Sequence, residues 1–167
     1  GAGLGRDTVF FAKNKIKVKA LDYSSTAIKI IENKAKDNNL SQLVSTKHFD
    51  VRDKLPYADN SIKGIFSHML YCMALTNSGI NKLNDEILRV LEPGGINIYS
   101  VRNTNDGDYK KGIRRGEDMY ENDGFIVNFF SEKKVNSLLK GFKNLSIINF
   151  EEGSFPRKLF LIQNKKV

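Results

Sequence analysis

Apolar positions along the chain follow two spacings, one typical of strands and one typical of helices. Residues 16–21 alternate apolar side chains with lysines and lead to Asp22, which predicts a half-buried strand. After Ser24 or Ser25, either of which is a suitable cap, apolar residues recur at helical spacing to about Asp37. The predicted order is a helix over 7–13, a strand over 16–21, a helix over 24–37, strands over 43–50 and 61–67, a helix over 81–91 and a strand over 96–101.

The last third of the chain has a different pattern. Residues 102–124 carry many charges and no clear period, which predicts a long loop, and we expect it to cover a substrate site. A helix from Ser131 to about Leu139 follows, and then strands over 145–150 and 159–163 with no helix between them. The predicted fold class is α/β, with a doubly wound, mostly parallel sheet closed by an antiparallel C-terminal hairpin.

Length and composition narrow the class of protein. With 167 residues, of which 40% are apolar, the chain predicts one folded domain over residues 1–167 and not a disordered segment. No signal peptide or membrane-spanning run is evident, so we expect a cytoplasmic protein without a membrane partner. The single cysteine, Cys72, argues against disulfides and a cysteine-based zinc site, and no metal is predicted. The net charge is +8, but the lysines are spread along the chain, so nucleic-acid binding is not expected.

A glycine-rich turn opens the chain. The sequence Gly1-Ala2-Gly3-Leu4-Gly5 fits a ligand-binding turn, which a preceding strand normally delivers to its bend. We therefore expect the domain to be N-terminally incomplete here, without its first strand and upstream helix. A dinucleotide-binding turn needs glycine where Arg6 stands, which argues against a dinucleotide-dependent oxidoreductase.

Carboxylates follow two of the predicted strands. Asp22 is placed to accept hydrogen bonds from a ribose diol, although it is also a possible helix cap. Asp50 is placed to accept from an exocyclic amine of adenine, next to the backbone N–H of Val51. Asp53 is the competing carboxylate, with a loop ion pair to Arg52 as its alternative. Because strand ends share one edge, we expect the glycine turn, Asp22, Asp50 and Ser67 on one rim.

These motifs together resemble those of class I S-adenosylmethionine-dependent methyltransferases. The resemblance runs over residues 1–102 and rests on GAGLGRD, LDYS, FDVRDKLPYADNSIKGIFS and LRVLEPGG, in that order. The Gly-Arg-Asp form of the turn looks most like the branch with tellurite-resistance and thiopurine-type enzymes. The resemblance implies a Rossmann-like sheet, S-adenosylmethionine as cofactor and a small-molecule methyl acceptor.

Site residues follow from the resemblance. It implies that Asp22 holds the ribose, that Tyr23 packs on adenine, and that Asp50 and Val51 read the adenine edge. It implies that Gly1, Ala2, Gly3 and Gly5 approach the methionine part of the cofactor, and that Ser67 and His68 border the methionine tail and the transferable methyl group. Arg6 is a further candidate cofactor contact.

Methyl transfer from a sulfonium needs alignment of the acceptor, and a base only if the acceptor is protonated. His68 is the candidate catalytic base or substrate contact, and a partly buried histidine bonded to backbone is the alternative. The candidate substrate-binding residues are Tyr71, Arg102, Tyr109 and Arg114, against the alternative of a solvated, mobile loop. A second functional hypothesis is a non-catalytic, methyltransferase-like module that binds protein or nucleic acid. The oligomeric state stays open.

Overall fold

The structure is a computed structural model that describes residues 1–154 and 156–167, and its chain divides into two units, Gly1–Asp53 and Lys54–Val167. In chain order the elements are α1 (Arg6–Lys13), β1 (Val18–Asp22), α2 (Ser25–Asp37), β2 (Val44–His48), β3 (Ile62–His68), α3 (Asn77–Val90), β4 (Leu91–Arg102), β5 (Ile113–Gly116), β6 (Met119–Asn122), β7 (Phe125–Asn128), α4 (Glu132–Ser137), β8 (Phe142–Glu152) and β9 (Arg157–Lys166).

The first unit contains a parallel pair of strands with two helices. β1 and β2 pair in register from Val18 opposite Val44 to Asp22 opposite His48. The Oγ of Ser24 accepts a hydrogen bond from the Ala27 amide at 3.2 Å, so Ser24 is the cap of α2. The apolar face of α2 is buried through Ala27, Ile28, Ile31 and Ala35, as the helical spacing predicts.

The second unit is built on a four-stranded sheet with the order β3-β4-β9-β8. β3 and β4 are parallel, whereas β9 is antiparallel to both of its neighbours. The sheet is therefore mixed, and the prediction of a mostly parallel sheet is wrong for this unit, because β8 and β9 follow one another without a crossover helix. The turn of the predicted C-terminal hairpin includes Phe155, which lies outside the described residues.

The segment predicted as a long loop, residues 102–124, contains the strands β5 and β6, and β7 follows it directly. β5, β6 and β7 form a three-stranded antiparallel sheet in which Tyr120 lies opposite Arg114 and Val127. Each strand is four residues long, and the β5·β6 register shifts between Arg114 and Gly116. Strands this short show too few alternations for a sequence pattern to reveal them.

Candidate functional site

The glycine turn is held against the end of β1 and against α2. Gly3 and Gly5 adopt φ of +53° and +80°, a region that side chains disfavour. A Cβ on Gly5 would lie 2.8 Å from Cγ1 of Ile31, so no side chain fits there without displacing α2. The Ala2 amide donates to the carbonyl of Leu21 at 2.9 Å, which fixes the turn beside the strand that ends in Asp22.

Asp22 connects this turn to the start of α2. Its side chain is buried, and its two carboxylate oxygens accept from the amides of Gly3 at 2.8 Å and Ser24 at 2.9 Å. Because each carboxylate oxygen accepts more than one hydrogen bond, both keep acceptor capacity for a hydroxyl donor. The orientation of this carboxylate is thus set by two backbone amides, while Ser24 caps the helix.

Asp50 follows β2 at the same edge, since the Phe49 amide donates to the carbonyl of Asp22 at 2.8 Å and continues the ladder. Its Oδ1 accepts from both the amide and Nε of Arg52 at 2.9 Å, and Oδ2 accepts from the guanidinium as well. Hydrogen bonds from the Arg52 side chain lower the pKa of Asp50 to about 2. The carboxylate that pairs with Arg52 is therefore Asp50, whereas the sequence suggested Asp53.

Other predicted cofactor contacts lie at the surface of this unit. Tyr23 is 70% exposed, which leaves its ring accessible for stacking, and Val51 is half-buried. Arg6 is exposed, with its Nε 3.1 Å from the Asp7 carboxylate.

In the second unit, Ser67 and His68 end β3. Ser67 is buried, and its Oγ has no hydrogen-bond partner within the described part of the chain. The imidazole of His68 contacts two side chains, with Nδ1 2.8 Å from Oγ of Ser100 and Nε2 3.2 Å from Oε2 of Glu152. The alternative that His68 bonds to backbone is thus replaced by contacts with side chains of β4 and β8.

The prediction that Tyr71 contacts substrate is wrong for this conformation, because the residue is fully buried. Its ring stacks on Tyr99 with centroids 4.4 Å apart, and its hydroxyl accepts from Asn97 at 3.3 Å. Burial raises the pKa of the Tyr71 hydroxyl far above its ordinary value. Tyr71 is a core residue.

Arg102 also has a structural role. Its guanidinium donates to both carboxylate oxygens of Asp106 and to Asp108 at 2.6 Å, and lies 5.3 Å from the ring centroid of Phe129. Asp106 in turn accepts from the Lys158 amide at 2.8 Å, which ties the segment after β4 to β9. Because the Arg102 side chain is only 11% exposed, it does not present its guanidinium to solvent, as the predicted substrate contact would require.

Tyr109 is half-buried, whereas Arg114 is exposed. The Tyr109 ring lies edge-on to Tyr120 at 5.6 Å, and its hydroxyl donates to Asp118 at 3.3 Å. Arg114 lies on β5 and donates a long hydrogen bond, 3.4 Å, to the carbonyl of Glu117. These two remain candidates for contacts with an acceptor.

Sequence reasoning missed Ser100 and Glu152, the two partners of His68. Ser100 lies opposite His68 in the β3·β4 register, and Glu152 ends β8, two strands further along the sheet. No local motif marks either residue, because the contact depends on the strand order.

A family model described as a methyltransferase domain matches residues 1–95, more than half of the chain. The chain belongs to this family. The matched segment carries the motifs of class I methyltransferases. The prediction of S-adenosylmethionine as cofactor is thereby confirmed.

A curated relative, phosphoethanolamine N-methyltransferase 1 of Triticum aestivum, is 31% identical over 134 residues. The match covers 79% of this chain, but the chain spans only about a quarter of that relative, 26%.

Solved structures share the fold. A SAM-dependent methyltransferase from Methanosarcina mazei superposes with a TM-score of 0.85 at 20% identity, covering 100% of this chain and 90% of that one. The 1,6-didemethyltoxoflavin-N1-methyltransferase of Burkholderia thailandensis, solved with 1,6-didemethyltoxoflavin and S-adenosylhomocysteine, superposes with a TM-score of 0.78 at 17% identity. The match covers 100% of this chain and 68% of that one.

None of the helices in residues 1–154 and 156–167 is long and apolar enough to cross a membrane.

Proposed function

We propose that this chain binds S-adenosylmethionine and transfers its methyl group to a small-molecule acceptor. The observation that carries the proposal is the bond between the Gly3 amide and the buried Asp22 carboxylate, with Asp50 following β2 at the same strand edge. A rigid glycine turn beside an oriented carboxylate suits a nucleoside whose ribose donates two hydroxyls.

Each residue of the first unit has a distinct role in this proposal. Asp22 accepts the ribose hydroxyls and Tyr23 stacks on adenine. Asp50 accepts from the adenine amine and the amide of Val51 donates to the ring. The methionine part lies along Gly1, Ala2, Gly3 and Gly5, and Arg6 and Ser67 are proposed as further cofactor contacts.

The cofactor supplies an activated methyl group, so the chain itself needs to orient rather than to activate. In an in-line displacement the bond from methyl carbon to sulfur breaks as the bond to the acceptor atom forms. Alignment alone lowers such a barrier by roughly 7–11 kcal/mol. His68 is the proposed base for an acceptor that carries a proton, and Tyr109 and Arg114 are proposed acceptor contacts.

The acceptor is proposed to be small, in keeping with the small-molecule substrate bound in the Burkholderia thailandensis structure and with the name of the Triticum aestivum relative. The tellurite-resistance and thiopurine-type branch remains our proposal for the narrower relationship, on the Gly-Arg-Asp form of the turn. A cytoplasmic location is part of the same proposal.

Calorimetric titration of the chain with S-adenosylmethionine, S-adenosylhomocysteine and NAD tests the proposal. We expect S-adenosylmethionine and S-adenosylhomocysteine to bind and NAD not to bind. Asp22→Ala should weaken S-adenosylhomocysteine at least tenfold, and Asp22→Asn less, because the amide keeps one acceptor oxygen. Asp37→Ala, an exposed carboxylate at the end of α2, is the matched control. Binding of NAD alone, or an unchanged affinity in Asp22→Ala, would overturn the proposal.

A further inference from the structure

A cavity of about 330 Å³ lies between α3 and α4 in the second unit, and we call it the α3–α4 cavity. Two of its lining residues, Ile80 and Leu138, are buried and apolar, and its polar lining includes Asp118, Lys133 and Lys134. Small-molecule sites have volumes in this range and combine apolar walls with a few directed polar groups.

The cavity lies near the carboxyl ends of the parallel strands β3 and β4. The Asn128 amide donates to the carbonyl of Cys72, in the segment after β3, at 2.9 Å. The Phe130 amide donates to the carbonyl of Arg102, the last residue of β4, also at 2.9 Å. α4 therefore begins beside both strand ends, the edge at which ligands of open α/β sheets bind. His68, the proposed base, ends β3 at the same edge.

Lys134 is a cation held in a fixed position at this cavity. Its Nζ donates to Oδ1 of Asn128 at 2.5 Å and lies 4.6 Å from the ring centroid of Phe130. Asn128 is fully buried, and its Nδ2 donates to the carbonyl of Leu75 at 2.8 Å, which sets the orientation of the amide. An ammonium has three N–H donors, so within the described part of the chain two of them stay available to a ligand.

No carboxylate of the described residues forms an ion pair with Lys134. Its acidic neighbours bond to other groups: Glu117 accepts from the Asn77 amide at 2.7 Å, and Asp118 accepts from the Tyr109 hydroxyl at 3.3 Å. Burial lowers the pKa of the Lys134 ammonium below its ordinary value, as expected for a cation that is partly removed from water. A bound anion would supply the missing counter-charge.

We propose that the α3–α4 cavity binds the carboxylate or phosphate group of a small molecule, with Lys134 as its counter-ion. Lys134 donates to the anionic oxygens, and Lys133 adds a second positive charge to the lining. Ile80 and Leu138 suit a short hydrocarbon part of the same molecule. Because Asp118 repels an anion, the anionic group lies on the α4 side of the cavity. The proposal rests on the proposed function in taking this molecule to be the methyl acceptor, which is then an acid.

Inorganic phosphate and acetate, each titrated into the chain without cofactor and followed by amide NMR, test this site. We expect one of them to shift the resonances of residues 131–138, and the tighter of the two indicates whether the group is a phosphate or a carboxylate. Lys134→Met should weaken this binding about tenfold, since methionine keeps an apolar stem beside Phe130 but lacks the charged donor.

Lys140→Met is the matched control, because Lys140 is an exposed lysine that follows α4 and lies outside the cavity. It should change the affinity less than about twofold, as expected for a charge in solvent. Equal weakening by the two substitutions, or no shift of residues 131–138 with either anion, would overturn the proposal.

Titration of the unaltered chain and of Lys134→Met with S-adenosylhomocysteine separates the two proposals. We expect the same affinity in both, because Lys134 is not among the proposed cofactor contacts. Failure of the unaltered chain to bind S-adenosylhomocysteine would count against the proposed function, whereas the phosphate and acetate titrations decide the role of Lys134.

Discussion

The amide of Gly3 and the carboxylate of Asp22 lie 2.8 Å apart, which joins the glycine turn to the end of the first strand. This bond arranges the turn before any ligand binds, so the cost of ordering it is met in folding and not in binding. The turn needs glycine at Gly3, where φ is positive, and at Gly5, where φ is positive and Ile31 lies too close for a side chain.

Gly5→Ala should lower the free energy of unfolding by about 2–4 kcal/mol, since a Cβ there adds a clash with Ile31 to the strain of a positive φ. Gly3→Ala is the matched control, because its φ is also positive but nothing lies within 4 Å of the added Cβ. It should cost only about 1 kcal/mol. Urea unfolding followed by circular dichroism measures both, and equal losses would contradict the role of Ile31.

Arg52→Ala should return the pKa of Asp50 from about 2 toward the ordinary value of about 3.9, because the guanidinium supplies the main hydrogen bonds to the carboxylate. A lowered pKa in the folded state stabilises the fold above about pH 4, and this contribution is lost as the pH falls toward 2. Carbon NMR titration of the Asp50 carboxyl measures the change. Arg6→Ala, which affects Asp7 instead, should leave the Asp50 titration unaltered.

Asp106→Ala should lower the free energy of unfolding by about 3–5 kcal/mol, because it leaves the guanidinium of Arg102 buried without its main partner. Glu121→Ala removes the more exposed ion pair with Arg115 in the same segment and should cost less than about 1 kcal/mol. Chemical unfolding compares the two. A small effect of Asp106→Ala would restore Arg102 as a candidate contact for substrate.

Cys72 should be inert toward thiol reagents in the folded chain, because it is 2% exposed and burial raises its pKa to about 11. At pH 7 this rise alone reduces the thiolate fraction about a hundredfold relative to an unshifted cysteine. The rate of reaction with a coloured disulfide reagent, measured with and without urea, should therefore follow unfolding. Rapid labelling of the folded chain would contradict the burial of this thiol.

Local signals in the sequence predicted the starts of two helices, α2 in the first unit and α4 in the second. Ser24 and the apolar spacing of α2 are contained in one continuous segment, as is the cap of α4 at Ser131, whose Oγ accepts from the Lys134 amide at 3.2 Å. Such elements need little information from the rest of the chain.

Long-range contacts could not be predicted in this way. Tyr71 follows a predicted strand end and was expected near substrate, yet its stacking on Tyr99 depends on how β3 and β4 pair. The bonds of Arg102 and His68 depend likewise on residues from β8, β9 and the segment between β4 and β5. A sequence pattern records the type of residue, whereas these contacts are decided by strand order.

β8 is an edge strand that pairs with β9, and this position has a consequence for synthesis on the ribosome. β8 is made before β9 but pairs in the sheet through β9, so it has no neighbour of its own until residues 157–166 have emerged. Glu152 therefore reaches His68 only after β9 has been made, long after β3 has emerged. A chain stalled before residue 157 would carry the glycine turn and Asp22 while His68 still lacked Glu152, so these parts of the molecule mature at separate times.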